Sequence, residues 1–254
     1  MIISTGFHYN GEYSGHKNVT KIRTSSGLIT DSFLASVDNK VVKTRNSRKS
    51  HIQNVERESL VIPMALYFDN NLDDVTIRAI KKWLNQDDFK ELIFEDQPNR
   101  VYYAKLNGVS DLSHNNISSG YVEFEFLTNS EYVYSPLVEL EGESDSATEF
   151  TSLLLNNNGD VPVFPKIKIF MNPNNATDIE IYNDTTGEYL LIQNNLVDEI
   201  IVVWNEYEEF ETSSIIRHVY DDHNGGFISF AEGLNELRIR GIFSYIIEYQ
   251  DIYL

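Results

Sequence analysis

The sequence predicts a mainly β chain with one α-helix, divided into an amino-terminal α+β, sandwich-like domain and a carboxyl-terminal β-sandwich. Three observations carry that reading. Ile77, Ile80, Trp83 and Leu84 form an i, i+3, i+6, i+7 stripe, the period of a helix with one buried face. Tyr121 to Leu127 alternates, with Val122, Phe124 and Phe126 on one side and Glu123 and Glu125 on the other, as a half-buried strand does. From Lys166 onward, short β-rich runs recur about every ten residues between Asn and Gly turns, the spacing of a β-sandwich.

In chain order, Ile2 to Glu12 reads as a strand entering a turn at Asn10-Gly11, a strong hairpin dipeptide. Val19–Thr24 and Leu28–Val37 are further short β candidates. Lys40 to Arg57 holds six positive charges and one carboxylate, Glu56. By itself that pattern suits a solvated arm, and no aromatic residue interleaves the charges to stack on bases. Ser59–Phe68 is apolar but contains Pro63, which has no N–H to donate and marks an edge strand or a bulge. Asp73 or Asp74 can cap the helix, and Lys81 and Lys82 suit the negative end of its dipole. Leu92–Phe94 and Val101–Leu106 flank the turn Glu95-Asp-Gln-Pro-Asn99 as a hairpin.

Composition shifts after Pro136. Glu139 to Glu149 is small, acidic and turn-prone, and reads as a linker or loop between domains spanning about 1–135 and 136–254. The strands expected beyond it are Lys166–Met171, Asp178–Asn183, Glu188–Gln193, Glu199–Trp204, Ile215–Tyr220, Gly226–Phe230, Glu236–Ile242 and Tyr245–Tyr253.

Composition excludes several function classes. Without cysteine among the 254 residues there is no disulfide and no thiolate metal site, which fits a protein made in a reducing cytoplasm. No apolar run is long enough to span a membrane, so no membrane insertion is expected. Met1-Ile-Ile-Ser-Thr-Gly6 lacks the basic start and long apolar stretch of a signal peptide. The net charge of −19 is uneven. Residues 1–60 hold nine Lys/Arg against five Asp/Glu, and residues 136–254 hold five against twenty-two. Such a carboxyl-terminal half argues against specific nucleic-acid binding, which needs clustered positive charge.

Candidate chemistry is sparse. Glu206, Glu208, Glu209 and Glu211 flank Tyr207 just after Trp204. Paired carboxylates beside an aromatic platform suit a glycosidase, but four Glu in six residues more often make a solvated edge. Trp204 and Tyr207 are the candidate sugar or partner contact. His218, Asp221, Asp222 and His223 could ligate a metal, yet they lack an HExxH spacing or a cysteine pair and also read as a polar turn. Glycine-rich phosphate loops and GxSxG elbows are absent, and nothing calls for a cofactor. No enzymatic activity is expected.

Several segments are similar to the siphophage distal tail protein family. They are the helix ending Lys82-Trp-Leu84, Phe89-Lys-Glu-Leu-Ile-Phe-Glu-Asp-Gln-Pro98, Tyr102-Tyr-Ala-Lys-Leu-Asn-Gly108 and Glu131-Tyr-Val-Tyr-Ser-Pro136. Phe7-His-Tyr-Asn-Gly11 resembles the family's opening strand and turn. Asn158-Gly-Asp-Val-Pro-Val-Phe-Pro-Lys166, Asp184-Thr-Thr-Gly-Glu-Tyr-Leu190 and Phe230-Ala-Glu-Gly-Leu-Asn-Glu-Leu237 resemble its carboxyl-terminal galectin-like sandwich. The resemblance implies a structural component of the virion tail tip, in a phage of a Gram-positive host. Its amino-terminal domain would form a homohexameric hub, as one ring or two stacked rings, and would carry a β-hairpin arm near residues 38–60. The uneven charge, apart from the resemblance, suggests that Lys43, Arg45, Arg48 and Lys49 on that arm meet carboxylates of the next subunit. Ile77, Ile80, Trp83, Leu84, Phe124 and Phe126 would fill the domain's core. The implied partners are the tail tube protein, a tail-associated fibre or lysin protein, and a receptor-binding or baseplate protein. The alternative is a carbohydrate-binding sandwich that contacts cell-wall saccharide.

Overall fold

The computed structural model of the chain describes residues 2–23, 35–45, 48–68, 73–114 and 119–254. It divides into two compact units, one ending at Tyr134 and the other Ser135–Tyr253.

The amino-terminal unit is built on a seven-stranded antiparallel sheet with one helix against it. Its strands are β1 (Phe7–Tyr9), β2 (Glu12–Tyr13), β3 (Val19–Lys21), β6 (Val61–Phe68), β7 (Lys90–Phe94), β8 (Tyr102–His114) and β9 (Gly120–Thr128), in the order β2-β1-β7-β8-β9-β6-β3. Two further strands, β4 (Val37–Val42) and β5 (His51–Arg57), make a separate hairpin, and β10 (Val133–Tyr134) forms a bridge to Val101. The expected turn at Asn10-Gly11 is present: φ is +50° and +75°, both positive as the tight hairpin turn requires, and it sets Tyr9 opposite Glu12. The sheet curls, so that edge strand β3 reaches the segment ahead of β1; the Lys21 amide donates to the Thr5 carbonyl at 2.8 Å.

The helix α1 spans Asp74–Leu84. Of the two candidate caps, Asp73 acts: its Oδ1 accepts the Thr76 amide at 2.6 Å. Trp83 is buried between Phe7, stacked at 5.6 Å, and Tyr9, edge-on at 6.1 Å, and its indole N–H donates to the Tyr9 carbonyl at 2.8 Å. Ile80, Leu84, Phe124 and Phe126 are buried as well. Ile77 is only half-buried. Pro63 lies in an interior strand, although β3 covers only Leu66–Phe68 of β6. Among the described residues the stretch around Pro63 is paired on the β9 side, and no described residue needs the missing N–H as a donor.

The carboxyl-terminal unit is a sandwich bent from one antiparallel sheet. Its strands are β11 (Val138–Asn157), β12 (Lys166–Met171), β13 (Ile179–Asn183), β14 (Glu188–Ile192), β15 (Ile200–Trp204), β16 (Glu209–Thr212), β17 (Gly233–Tyr249) and β18 (Ile252–Tyr253). The 17-residue β17 pairs with β13 through Leu237–Arg240 and with β12 through Phe243–Glu248. Along its other side it pairs with β11. The fold bends at Gly241, where φ is +135°. A Cβ there would lie 2.5 Å from the Phe243 ring and 2.6 Å from the Asp178 carbonyl, so only glycine fits. Opposite it, β11 shifts register between Ser146 and Thr151. Ile167, Ile169, Ile201 and Val203 from one leaf and Ile179, Ile181, Leu190 and Ile192 from the other fill the core.

Four expectations are corrected. Glu139–Glu149 is not a linker: Val138–Ser146 pairs residue by residue with β17, its carboxylates turned to the exposed face. The separate strands Glu236–Ile242 and Tyr245–Tyr253 are largely one strand, β17. Ile215–Tyr220 is a loop leading into a 3-10 turn at Val219–Asp221 and pairs with no strand among the described residues. Gly226–Phe230 makes, among the described residues, only the Phe230–Val163 bridge. Most of the expected strand Leu28–Val37 lies outside the described residues.

Candidate assembly surfaces

The basic stretch folds as the hairpin β4–β5, and each residue in both strands is exposed. Val37 faces Arg57, Asn39 faces Val55, and Lys40 faces Asn54. The register then slips by one, so Val41 sits opposite Ile52 and Gln53 is the extra residue. Because side chains alternate, that bulge carries Ile52 onto the face already holding Val37, Val41 and Val55. Asn39 and Arg57 border that face, and the opposite face is polar but for Val42, with a Lys40–Glu56 ion pair and the Asn54 side-chain amide donating to Glu56 at 3.0 Å. The hairpin is amphipathic, with its apolar side in water. A lone two-stranded hairpin is marginal, and four bare β-branched residues do not stabilise one unless something covers them.

Lys43, Arg45, Arg48 and Lys49 are all exposed and lie between the two strands, toward the hairpin tip. The structure therefore gathers the four arm residues at one end of one element. Sequence reasoning missed the apolar face, because Ile52 joins it only through a bulge that no periodicity in the chain records.

On the same unit, a groove of about 610 Å³ opens beside α1. Phe68, Ile77, Leu106, Leu112, Val122 and Phe124 line it, with Lys81 and Lys82 at its margin. This is why Ile77, expected in the core, is only half-buried.

In the carboxyl-terminal unit, Trp204 and Tyr207 come together across the turn after β15, ring centroids 6.4 Å apart and tilted by 45°. Lys166 Nζ stands 4.7 Å over the Trp204 ring and is held there by Glu248 at 2.8 Å. Trp204 is therefore partly covered, whereas Tyr207 is 62% exposed. Glu209 and Glu211 flank buried Phe210 on the exposed side of β16. The His218–His223 stretch serves the fold: Asp222 accepts from Arg217 Nε at 3.1 Å and from the Asn194 amide at 2.6 Å, and His223 Nδ1 accepts the Gly225 amide at 2.8 Å. Among the described residues no group of three or more His, Cys, Asp or Glu could hold a metal ion, and no helix is long and apolar enough to cross a membrane.

Comparison with known proteins gives these surfaces a setting. Residues 2–130 match the family described as phage tail protein N-terminal domain, and residues 134–249 match its companion, the phage tail C-terminal domain. The chain is similar to the SPbeta prophage-derived uncharacterized protein YomH of Bacillus subtilis (strain 168), at 27% identity over 250 residues, covering 98% of this chain and 97% of that one. Its fold is similar to the crystal structure of the SPP1 Dit (gp 19.1) protein, described as a paradigm of the hub adsorption apparatus in phages that infect Gram-positive hosts. The TM-score is 0.69 at 15% identity, covering 98% of this chain and 99% of the other.

Proposed function

The chain belongs to the phage tail protein family, and from that premise we propose that it is a structural, non-catalytic hub at the distal end of the tail. In this reading the amino-terminal unit assembles as a homohexamer, as one ring or two stacked rings, beneath the tail tube protein. A tail-associated fibre or lysin protein closes the other face, and the galectin-like carboxyl-terminal sandwich holds a receptor-binding or baseplate protein. The chain is made in the host cytoplasm and ends in the virion. One observation carries the reading: the β4–β5 hairpin has a largely apolar face that is exposed among the described residues. Identical subunits in a ring meet head to tail, so an arm of one copy can lie on a different surface of the next. The groove beside α1 is an apolar surface of suitable character for that face.

The charges at the hairpin tip have a separate role. Lys43, Arg45, Arg48 and Lys49 meet carboxylates of the neighbour and steer encounter, while apolar contact supplies most of the affinity. Light scattering coupled to size exclusion at micromolar concentration should give a closed multimer of six chains, or of twelve for stacked rings. A strict monomer across concentration and salt would sink the hub reading. A second reading, a carbohydrate-binding sandwich, draws its support from the exposed Tyr207 ring beside Trp204. It requires cell-wall saccharide to alter Trp204 fluorescence, and Tyr207→Ala to abolish that response.

A further inference from the structure

Two loops of the carboxyl-terminal unit, residues 193–199 and 213–222, are laced together by one arginine. The Arg217 side chain is 5% exposed and that of Glu199 1%, and their ion pair is 2.7 Å long. Arg217 also donates to Asp222 and to the Gln193 carbonyl. The Glu199 carboxylate further accepts the Leu196 amide at 2.9 Å and the Thr212 hydroxyl. Asp198, in the first loop, is held at a φ of +61°. A buried ion pair contributes little net stability once desolvation is counted, but a fully satisfied one fixes geometry.

What this network holds in place is apolar and bare. Ile215 is 99% exposed and Ile216 80%; Leu196 and Val197 in the first loop and Ile200 at the start of β15 are exposed as well. The Ser213 amide donates to the Ile200 carbonyl at 2.9 Å and the Ser213 hydroxyl accepts the Ile200 amide at 2.9 Å, which ties the two apolar groups together. An isoleucine wholly in water stabilises nothing in the isolated chain. Rigid apolar anchors whose ordering cost is already met by folding are instead what a binding hot spot uses. The segment that carries these loops is one-sided in charge: residues 193–223 hold eight Asp/Glu and one Lys/Arg, Arg217, already engaged within the network, while Lys168 stands on the adjoining strand β12 opposite Val202.

We propose that this patch docks a different protein of the same particle, one that presents an apolar pocket rimmed by Lys and Arg. The charge decides the occupant. A second copy would bring two acidic loop pairs together, and an anionic lipid surface would repel them, whereas a basic rim is attracted and oriented. The proposal rests on the reading of the chain as a tail component and is tested apart from ring formation. Tails are assembled with a photo-crosslinking residue in place of Ile215, and separately with the double variant Ile215→Asp, Ile216→Asp. The first should give an adduct with one other tail protein, through a segment rich in Lys/Arg. Purified tails with the double variant should contain at least about tenfold less of that protein. The variant chain in solution should keep the wild-type multimer mass and melting temperature, because both side chains are exposed. Loss of the multimer would instead mark the patch as a contact between copies and overturn the proposal. An adduct with another copy or with lipid, no adduct, or tails of unchanged composition would overturn it equally, and none of the last three bears on the hub.

Discussion

Replacing Trp83 with alanine should unfold or nearly unfold the amino-terminal unit while sparing the other. The indole is buried, stacks on Phe7, meets Tyr9 edge-on, and donates to the Tyr9 carbonyl. Losing a buried tryptophan side chain costs about 3–5 kcal/mol in transfer and cavity terms. Leaving the Tyr9 carbonyl without its donor adds about 1 kcal/mol or more. A unit of ordinary stability has about 5–15 kcal/mol in total. With a urea slope of about 2 kcal/mol per M, a loss of about 4 kcal/mol moves the midpoint down by about 2 M. The chain has two tryptophans, one in each unit, so the variant leaves Trp204 as a clean reporter of the carboxyl-terminal sandwich. Circular dichroism should show an early transition lost or displaced, and Trp204 fluorescence should melt at the wild-type midpoint. Trp83→Phe, which keeps the stacking and removes the donor, should fall between the two. An unchanged dichroism midpoint for the alanine variant would show that the helix stripe does not hold this core.

Reversing Lys43, Arg45, Arg48 and Lys49 to Glu should leave the chain folded and slow ring assembly, and added salt should slow wild-type assembly more than it loosens rings already formed. Normal assembly of that variant at low salt, followed by light scattering, would reduce the hairpin tip to solvated charge. Gly241→Ala should destabilise the sandwich by about 1–3 kcal/mol, read from the Trp204 melting curve, since φ is +135° and a Cβ would come within 2.6 Å of the Asp178 carbonyl oxygen. Arg217→Ala leaves the Glu199 carboxylate buried without its cation and should cost about 3–5 kcal/mol by the same assay. Hydrogen bonds from Asn194 and then Arg217 hold the Asp222 carboxyl below its ordinary value of 3.8. Because the folded value is the lower one, this stabilisation is complete above about pH 4 and fades as pH falls through the folded value. The melting temperature of the carboxyl-terminal unit should therefore drop on acidification below about pH 4, and Asp222→Asn should shallow that decline.

The elements that were legible in the sequence are those whose cause is local. Asn10-Gly11 makes its turn from two residues that tolerate positive φ. The α1 stripe, its Asp73 cap and the alternation of β9 are periodicities within a dozen residues, and the fold keeps them. The family likeness was legible too, because it lies in short words of sequence in order. What only the tertiary structure decided depends on partners far along the chain. The acidic run Glu139–Glu149 looked like a linker because the strand that orders it, β17, begins about ninety residues later, as the register shows. Ile215–Tyr220 has strand composition but pairs with no strand among the described residues, and composition does not encode that. Ile52 joins an apolar face because one residue bulges, and the loop carrying the exposed Ile215 and Ile216 is pinned where Arg217 reaches back to Glu199 in another loop. Local patterning sets what each segment can form; which edge it meets, and which side chains that pairing leaves uncovered, is settled only when the sheet closes.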